Sequence, residues 1–387
     1  MSQPASSAGA MFPRGQRHPG VRAIVTGQVG LDKKPFLEQV ADLARRNGQN
    51  VELFNVGDRM YAEAPDVSPG RILDLSRQRL NTLRRSVFKD IVAAASTGVS
   101  LIVNTHATFR WKHGLFHAFD HHQMVELDAD LYVTLVDNVD AVHERLEREY
   151  GIDHTLKDIL VWREEEIVVT ETMAKALSGY GQTFVMSRSN PDIAARSLYR
   201  LMFEPRRKRV YPSYPMTHVM DLPGVLREIE QFRDTLAEHL IIFDPADLDE
   251  KRLLAEAAAA TRRHERFFEV QVHGRVVHLN ADEVTRVAGD IDGQIYARDF
   301  KLIDQSDMIV SYIPALPGGR PALSSGVERE LQHAFESTRE VFVIWRPECE
   351  PSPFITETAT AVFRSTEELL AMLQKRGDIR DYQLPLP

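Results

Sequence analysis

Ser324-Ser325-Gly326-Val327-Glu328-Arg329-Glu330-Leu331 decides how the second half of this 387-residue chain is read. A helix opening after Ser325 repeats Val327, Leu331, Ala334 and Phe335 at helical spacing and buries that face. Glu330 falls on the same side, and an acid on an apolar stripe is costly unless it has a partner or a task. Ser325-x-x-Glu328 fits a capping box, which gives Glu328 a structural duty. Glu330 has no such duty. It lies near the first turn, where exposed N–H groups favour negative charge and are expected to keep its carboxylate ionised. The same N–H groups, with the Ser324 and Ser325 hydroxyls and Gly326, suit a phosphate. The plainer alternative is a buried helix start whose Glu330 pairs with an arginine.

The flanking segments place this helix. Residues 208–211 read as a strand, 222–239 as an amphipathic helix, 240–243 as a second strand, 303–313 as a strand following Ser306-Asp307, and 341–345 as another. Strands alternating with helices imply a parallel sheet whose ligands gather at the strand carboxyl ends. Tyr211, Asp299, Ser324 and Glu330 are expected at or near those ends, with Ser213 as a further substrate contact.

In this order and spacing, residues from 207 to about 375 resemble the nucleoside 2-deoxyribosyltransferase superfamily, which includes nucleoside 5'-monophosphate N-glycosidases. The family's opening strand with a Tyr and a nearby Pro is matched by Tyr211 and Pro215. Its acid that handles the base, eight positions before the Asp of the next strand, is matched by Asp299 ahead of Asp307. Its helix-start nucleophile is matched by Glu330. The transferases carry an Asp six positions before that Glu; here Ser324 stands there, as in the nucleotide-hydrolase branch, where the serine meets the 5'-phosphate. The insertion at 315–323 departs from the pattern beside the pocket. The resemblance implies attack of Glu330 on C1', protonation or orientation of the departing base by Asp299, and positioning of Glu330 by Tyr211. It also implies a homo-oligomer and a glycosidase that needs no cofactor. By residue type alone, Asp299 also suits a turn before a helix and Tyr211 a core aromatic.

The first half carries a second pattern. Residues 21–26 read as a buried strand, followed by Gly27-Gln-Val-Gly30-Leu-Asp32-Lys33-Lys34 and a helix over 35–46, the placement of a phosphate-binding P-loop. Asn55-Val-Gly57-Asp58-Arg-Met60 follows a strand. A basic helical stretch runs through Arg84 and Arg85, and a strand over 99–103 ends in Asn104-Thr105-His106-Ala107. Beyond it come a strand at 131–136, a helix with Arg145 and Arg148, then Arg163, a strand at 182–186 and a helix at 190–203. Residues 20–204 thus resemble archaeal-type adenylate kinases and related P-loop nucleoside monophosphate kinases. The resemblance implies nucleotide contacts from Gly27, Gly30, Lys33, Lys34, Asn55, Gly57, Asp58, Thr105, His106, Arg145, Arg148 and Arg163. Asp32 replaces the last glycine of the loop, Lys34 the magnesium-binding Ser/Thr, and Asn104 the acid at the end of its strand. ATP or another nucleotide is the expected ligand, whereas magnesium loses its usual ligands and phosphoryl transfer its electrostatic clamp.

Composition sets bounds. The length suits two domains, the hydrophobic share of 43% and charged share of 27% are those of ordinary globular proteins, and a net charge of −9 argues against a broad nucleic-acid surface. Arg206-Arg-Lys-Arg209 is a local basic cluster at the junction. The single cysteine, Cys349, fits a reducing, cytoplasmic setting, and no apolar run reaches membrane-spanning length. His113, His117, His121 and His122 lack the acids or cysteines that would complete a zinc site, so no metal is expected.

The expectation is therefore an α/β protein of two domains. A tail at 1–20 precedes a P-loop NTPase three-layer α/β/α domain at 21–204. A junction at 205–208 leads to a flavodoxin-like or Rossmann-like, deoxyribosyltransferase-type domain at 209–376, and a tail occupies 377–387. The expected activity is cleavage of the N-glycosidic bond of a nucleoside 5'-monophosphate by hydrolysis or transfer. The rival readings are an active nucleoside monophosphate kinase with a passenger domain, and a nonenzymatic nucleotide sensor.

Overall fold

The sequence Arg-Ala-Ile-Val-Thr of strand β1 (Arg22–Thr26) is buried at every position after the first, as a strand covered on both faces must be. The computed structural model describes residues 18–68, 70–111, 114–151, 153–177, 182–216, 219–272 and 274–379, apart from the side chains at 110 and 111. The expected N-terminal tail lies outside these residues except at 18–20, as does most of the C-terminal one.

Six strands follow β1 in the first half: β2 (Val51–Asn55), β3 (Ser100–Asn104), β4 (Thr108–Trp111), β5 (Gly114–His117), β6 (Leu131–Val136) and β7 (Gln182–Ser187). Five form a parallel sheet in the order β2-β3-β1-β6-β7, with β4 and β5 an antiparallel ribbon beyond the end of β3. The helix Lys33–Arg46 packs Phe36, Leu37, Val40, Ala41 and Ala44 inward along one stripe. Helix Leu156–Leu177 has no such one-sidedness. It buries Ile159, Leu160, Trp162, Arg163, Glu166, Ile167, Thr170 and Met173 because it lies between the first sheet and the second half.

The second half contributes β8 (Arg209–Ser213), β9 (Ile241–Ile242), β10 (Phe267–Val272), β11 (Arg275–Asn280), β12 (Met308–Ile313), β13 (Glu340–Trp345) and β14 (Ala361–Phe363). Its main sheet is parallel, ordered β9-β8-β12-β13-β14, while β10 and β11 form a separate antiparallel ribbon absent from the sequence reading. Counted within this half, the order is 2-1-3-4-5, which reverses direction between β8 and β12. Ligand crevices of doubly wound sheets open at such a reversal. Pro212 sits in β8 without breaking the sheet because β9 pairs only with Arg209 and Val210.

The seam between halves is buried. One apolar cluster runs from Ala23, Leu37 and Val133 through Phe184 to Tyr211, Phe243, Ile309 and Val343. Phe184 stacks on Phe243 at 5.8 Å. Gln305 accepts from Val185 N–H (2.9 Å) and donates to Val185 C=O (2.8 Å), covering the exposed edge of β7. The Arg200 guanidinium donates to the carbonyls of Ala237, Glu238 and Leu240 at the end of helix Pro223–His239, groups that the helix itself leaves unpaired. Among the described residues no helix is long and apolar enough to cross a membrane.

Candidate active site

Two elements of the second half converge at the β8/β12 reversal. Strand β8 points Tyr211 and Ser213 toward helix Ser325–Glu336, and the helix returns Glu330 between them. Tyr211 Oη donates to Glu330 Oε1 at 2.9 Å, and Ser213 Oγ donates to Oε2 at 2.6 Å. The Ser311 hydroxyl of β12 lies 3.4 Å from Ser213 Oγ. Tyr211, Ser213 and Ser311 are fully buried. Glu330 has hydroxyl partners rather than an arginine, so the ion-pair alternative does not hold.

The charge state of Glu330 differs from expectation. Burial pushes its carboxyl up to about 7; the hydrogen bond from Ser213 opposes this, nearby Asp299 adds to it, and the hydrogen bond from Tyr211 opposes it more weakly. Desolvation is thus the largest influence on a carboxyl that was expected to stay ionised, and Glu330 is the sixth residue of its helix, beyond the free N–H groups of the first turn. Asp299 is raised to about 6 by burial, with Arg298 pulling the other way. Tyr211 is held well above its ordinary value by burial and by both carboxylates, so it stays protonated and donates. Asp299 is neither a turn residue nor at a strand end: it projects from inside helix Ala288–Asp304, and its buried Oδ1 has no hydrogen-bond partner among the described residues. Two neighbouring carboxyls, both raised by desolvation, have the arrangement expected of a catalytic pair.

The helix start also differs in detail. Ser324, not Ser325, is the N-cap, its Oγ accepting from Val327 N–H at 3.3 Å, and Glu328 is exposed rather than bonded back. This cap leaves Ser325 and Gly326 exposed at the helix mouth. A Cβ on Gly326 would meet only Ser324 Oγ at 3.7 Å, so the protein's own packing does not demand glycine there. The 315–323 insertion is an ordered turn, with Leu316 C=O accepting from Gly319 N–H and Gly318 at φ +90°, the glycine position of a type II turn after Pro317.

In the first half the loop after β1 closes on itself. Gly27 and Gly30 take φ values of +134° and +85°, and Asp32, in the place of the last glycine, adopts the left-handed conformation at φ +46°. The Asp32 carboxylate pairs with Arg145 (3.3 Å) and Arg188 (3.7 Å). Arg145 is buried and held by Gly30 C=O (2.6 Å) and Asp137 (2.7 Å). Lys33 donates to Gly27 C=O and lies 3.3 Å from His106 Nδ1; burial lowers its ammonium to about 8. His106, partly buried, is held well below its usual value by desolvation and by the Lys33 charge. Thr105 is buried and donates its N–H to Val25 C=O. Lys34 pairs with Asp58 at 2.7 Å, and Asn104 donates to Asn55 at 2.8 Å. Gly57 lies within helix Val56–Ala62 with open space where a Cβ would be. These groups do not fit a magnesium site, since the Ser/Thr and the acid are replaced and their replacements are engaged elsewhere.

Two other expected nucleotide contacts are engaged in ion pairs. Arg163 is buried against Glu250 of the second half, and Arg148 pairs with Glu144 and Glu149. One residue was missed. Glu166, fully buried, accepts from Gly27 N–H (3.1 Å), Ala107 N–H (2.9 Å), Thr108 N–H (3.0 Å) and Thr108 Oγ1 (2.6 Å), tying the loop to the end of β3. Its signal was the one that singled out Glu330, an acid on a buried helical stripe with Ile159, Thr170 and Met173. Among the described residues no group of three or more His, Cys, Asp or Glu could hold a metal ion; His113 lies outside them.

No family model matches the chain. Among solved structures, a Chloroflexus aurantiacus protein described as a kinase is similar over 49% of this chain and 96% of its own, at 14% identity and a TM-score of 0.31. A gluconokinase from Sinorhizobium meliloti has the same coverage and identity with a TM-score of 0.28. The Deinococcus radiodurans tunicamycin resistance protein covers 41% of this chain and 95% of its own, at 13% identity and a TM-score of 0.25. Similarity at this level carries no functional weight.

Proposed function

We propose that the chain cleaves the N-glycosidic bond of a nucleoside 5'-monophosphate. The observation that carries this reading is the Glu330 carboxylate held by Tyr211 and Ser213 beside Asp299 at the β8/β12 reversal. In this scheme a Glu330 oxygen attacks C1' and the C1'–N bond breaks. Its electron pair goes to the base, whose nitrogen takes the Asp299 proton, leaving a glycosyl ester on Glu330. Water then attacks C1', gives its proton to the Asp299 carboxylate, and frees the sugar phosphate and Glu330. Ser324, Ser325 and Gly326 at the helix mouth are the proposed phosphate contacts. Ser213, expected as a substrate contact, serves instead to orient Glu330.

The first half is proposed to bind a nucleotide with little phosphoryl transfer. Asp32, Lys34 and Asn104, the three departures from the P-loop pattern, are each engaged by protein groups. Incubation with a panel of ribo- and deoxynucleoside monophosphates, with and without ATP, followed by chromatography of bases and ADP, tests both halves. Base release by the wild-type chain, reduced on the order of 10³-fold or more by Glu330→Gln, is the expected result. Equal release by the two proteins removes Glu330 from the mechanism. ADP formation that depends on Lys33 and is unaffected by Glu330→Gln, with no base released, favours the kinase reading.

A further inference from the structure

A chain of buried charges runs from the first half to Asp299. Arg163, on helix Leu156–Leu177, donates Nη1 to Glu250 Oε1 at 2.6 Å and Nη2 to Oε2 at 3.1 Å. Gln294 accepts from Arg163 Nε (3.1 Å) and Nη2 (2.6 Å), which fixes the plane of the guanidinium. Val139 N–H, also from the first half, donates to Glu250 Oε1 at 3.1 Å. On the far side Glu250 Oε2 lies 3.6 Å from Arg298 Nη1, and Arg298 Nε lies 3.9 Å from Asp299 Oδ1. Arg163, Glu250 and Arg298 are all buried, and Nε and Nη1 of Arg298 have no hydrogen-bond partner among the described residues. These two carboxylates, a 3.4 Å contact from Nη2 to Leu248 C=O and the repulsion of Arg163 bear on where the Arg298 charge rests.

Buried in low dielectric, Glu250 needs cations, and Arg163 supplies the better bonded one. Remove Arg163, and Glu250 has only Arg298 to turn to, drawing it away from Asp299. We propose that Arg163 is a positioning residue for the carboxylate pair, acting through Glu250 and Arg298 on Asp299, so that the first half completes a site whose reacting groups all lie in the second. As a statement about catalysis this rests on the glycosidase reading; as a statement about Asp299 it does not.

The groups that face Asp299 and Arg298 are Glu330, Tyr211, Glu250 and Arg163, with Glu164 on helix Leu156–Leu177, where Glu171 pairs with Lys301 of the Asp299 helix itself. The test follows the Asp299 carboxyl by isotope-edited infrared titration of the full chain labelled at aspartate, with its band assigned by Asp299→Asn. Arg163→Met moves the Asp299 midpoint upward, by roughly one unit, because Arg298 no longer favours its ionised form. Arg163→Lys, which keeps a cation on Glu250, leaves the midpoint near wild type. Arg163→Met with Glu250→Gln moves it to or below the wild-type value, because a neutral amide in place of the Glu250 carboxylate releases Arg298 to Asp299. The double variant also carries the test if the single one does not fold. A midpoint unmoved in folded Arg163→Met, or raised above wild type in the double variant, overturns the proposal. The acid limb of the pH profile of base release shifts with the midpoint, which a merely structural role would not produce. A wild-type chain that releases no base from any nucleotide defeats the glycosidase reading alone, since the midpoints still decide the coupling.

Discussion

Glu330 carries two opposing demands, and its surroundings settle them by degrees. Two hydroxyls favour the ionised nucleophile, while burial and Asp299 disfavour it, leaving the carboxyl at about 7 and Asp299 at about 6. The pair therefore holds one proton only between these values. Below about 6 both are protonated and no nucleophile remains; above about 7 both are ionised and no acid remains. The kcat/KM profile for base release is expected to be a narrow bell with apparent limbs near 6 and 7, values that belong to the pair rather than to either residue. A plateau extending to pH 9 would contradict this. The reaction needs the shared proton on Asp299, facing a base nitrogen that can accept it. Tyr211→Phe or Ser213→Ala removes a hydrogen bond that lowers the Glu330 value, so the alkaline limb moves to higher pH while the maximum falls, roughly tenfold for each bond to a charged group.

At the scale of elements, the proposed function gives the start of helix Ser325–Glu336 two tasks on one side chain. Ser324 caps the helix that presents Glu330, and in the proposed scheme it also meets the 5'-phosphate. Asp caps as well as Ser does, but it repels a phosphate dianion. Ser324→Asp is therefore expected to keep thermal stability within about 0.5 kcal/mol of wild type. It should raise KM for nucleoside monophosphates at least tenfold while sparing the unphosphorylated nucleosides. Ser324→Ala supplies the control, losing about 1 kcal/mol of stability with the cap. Equal effects of Ser324→Asp on nucleotide and nucleoside would show that the phosphate sits elsewhere. The short strand β9 contributes by stopping early: because it pairs only with Arg209 and Val210, β8 can carry Pro212 and still present Tyr211 and Ser213.

For the whole molecule, the seam makes two sheets one cooperative unit. The shared apolar cluster and the Arg163–Glu250–Arg298 chain predict a single unfolding transition by calorimetry and by circular dichroism. Glu250→Ala leaves two buried guanidinium groups without their counter-charge and is expected to cost about 3–5 kcal/mol. Hydrogen exchange should then accelerate in both halves, including β6 and β7, which Glu250 does not belong to. Faster exchange confined to residues beyond 209 would show the halves to be energetically separate.

Periodicity made most of this protein legible. Alternation of buried strands with one-sided helices identified both parallel sheets, and an acid on a helical stripe identified Glu330, because those signals are written within ten or twenty adjacent residues. Local spacing also brought out Tyr211 and Asp299, although their approach to one another depends on the order of β8 and β12. The sequence could not weigh burial against the helix-end field at Glu330, since desolvation depends on everything packed around the carboxyl. Nor could it assign Arg163, Glu166 or Glu250, whose side-chain partners lie 26 to 139 residues away in the chain. A charged side chain declares only that it needs a partner; which partner it finds is decided by the fold, because the attraction acts through space at a few ångströms and not along the backbone.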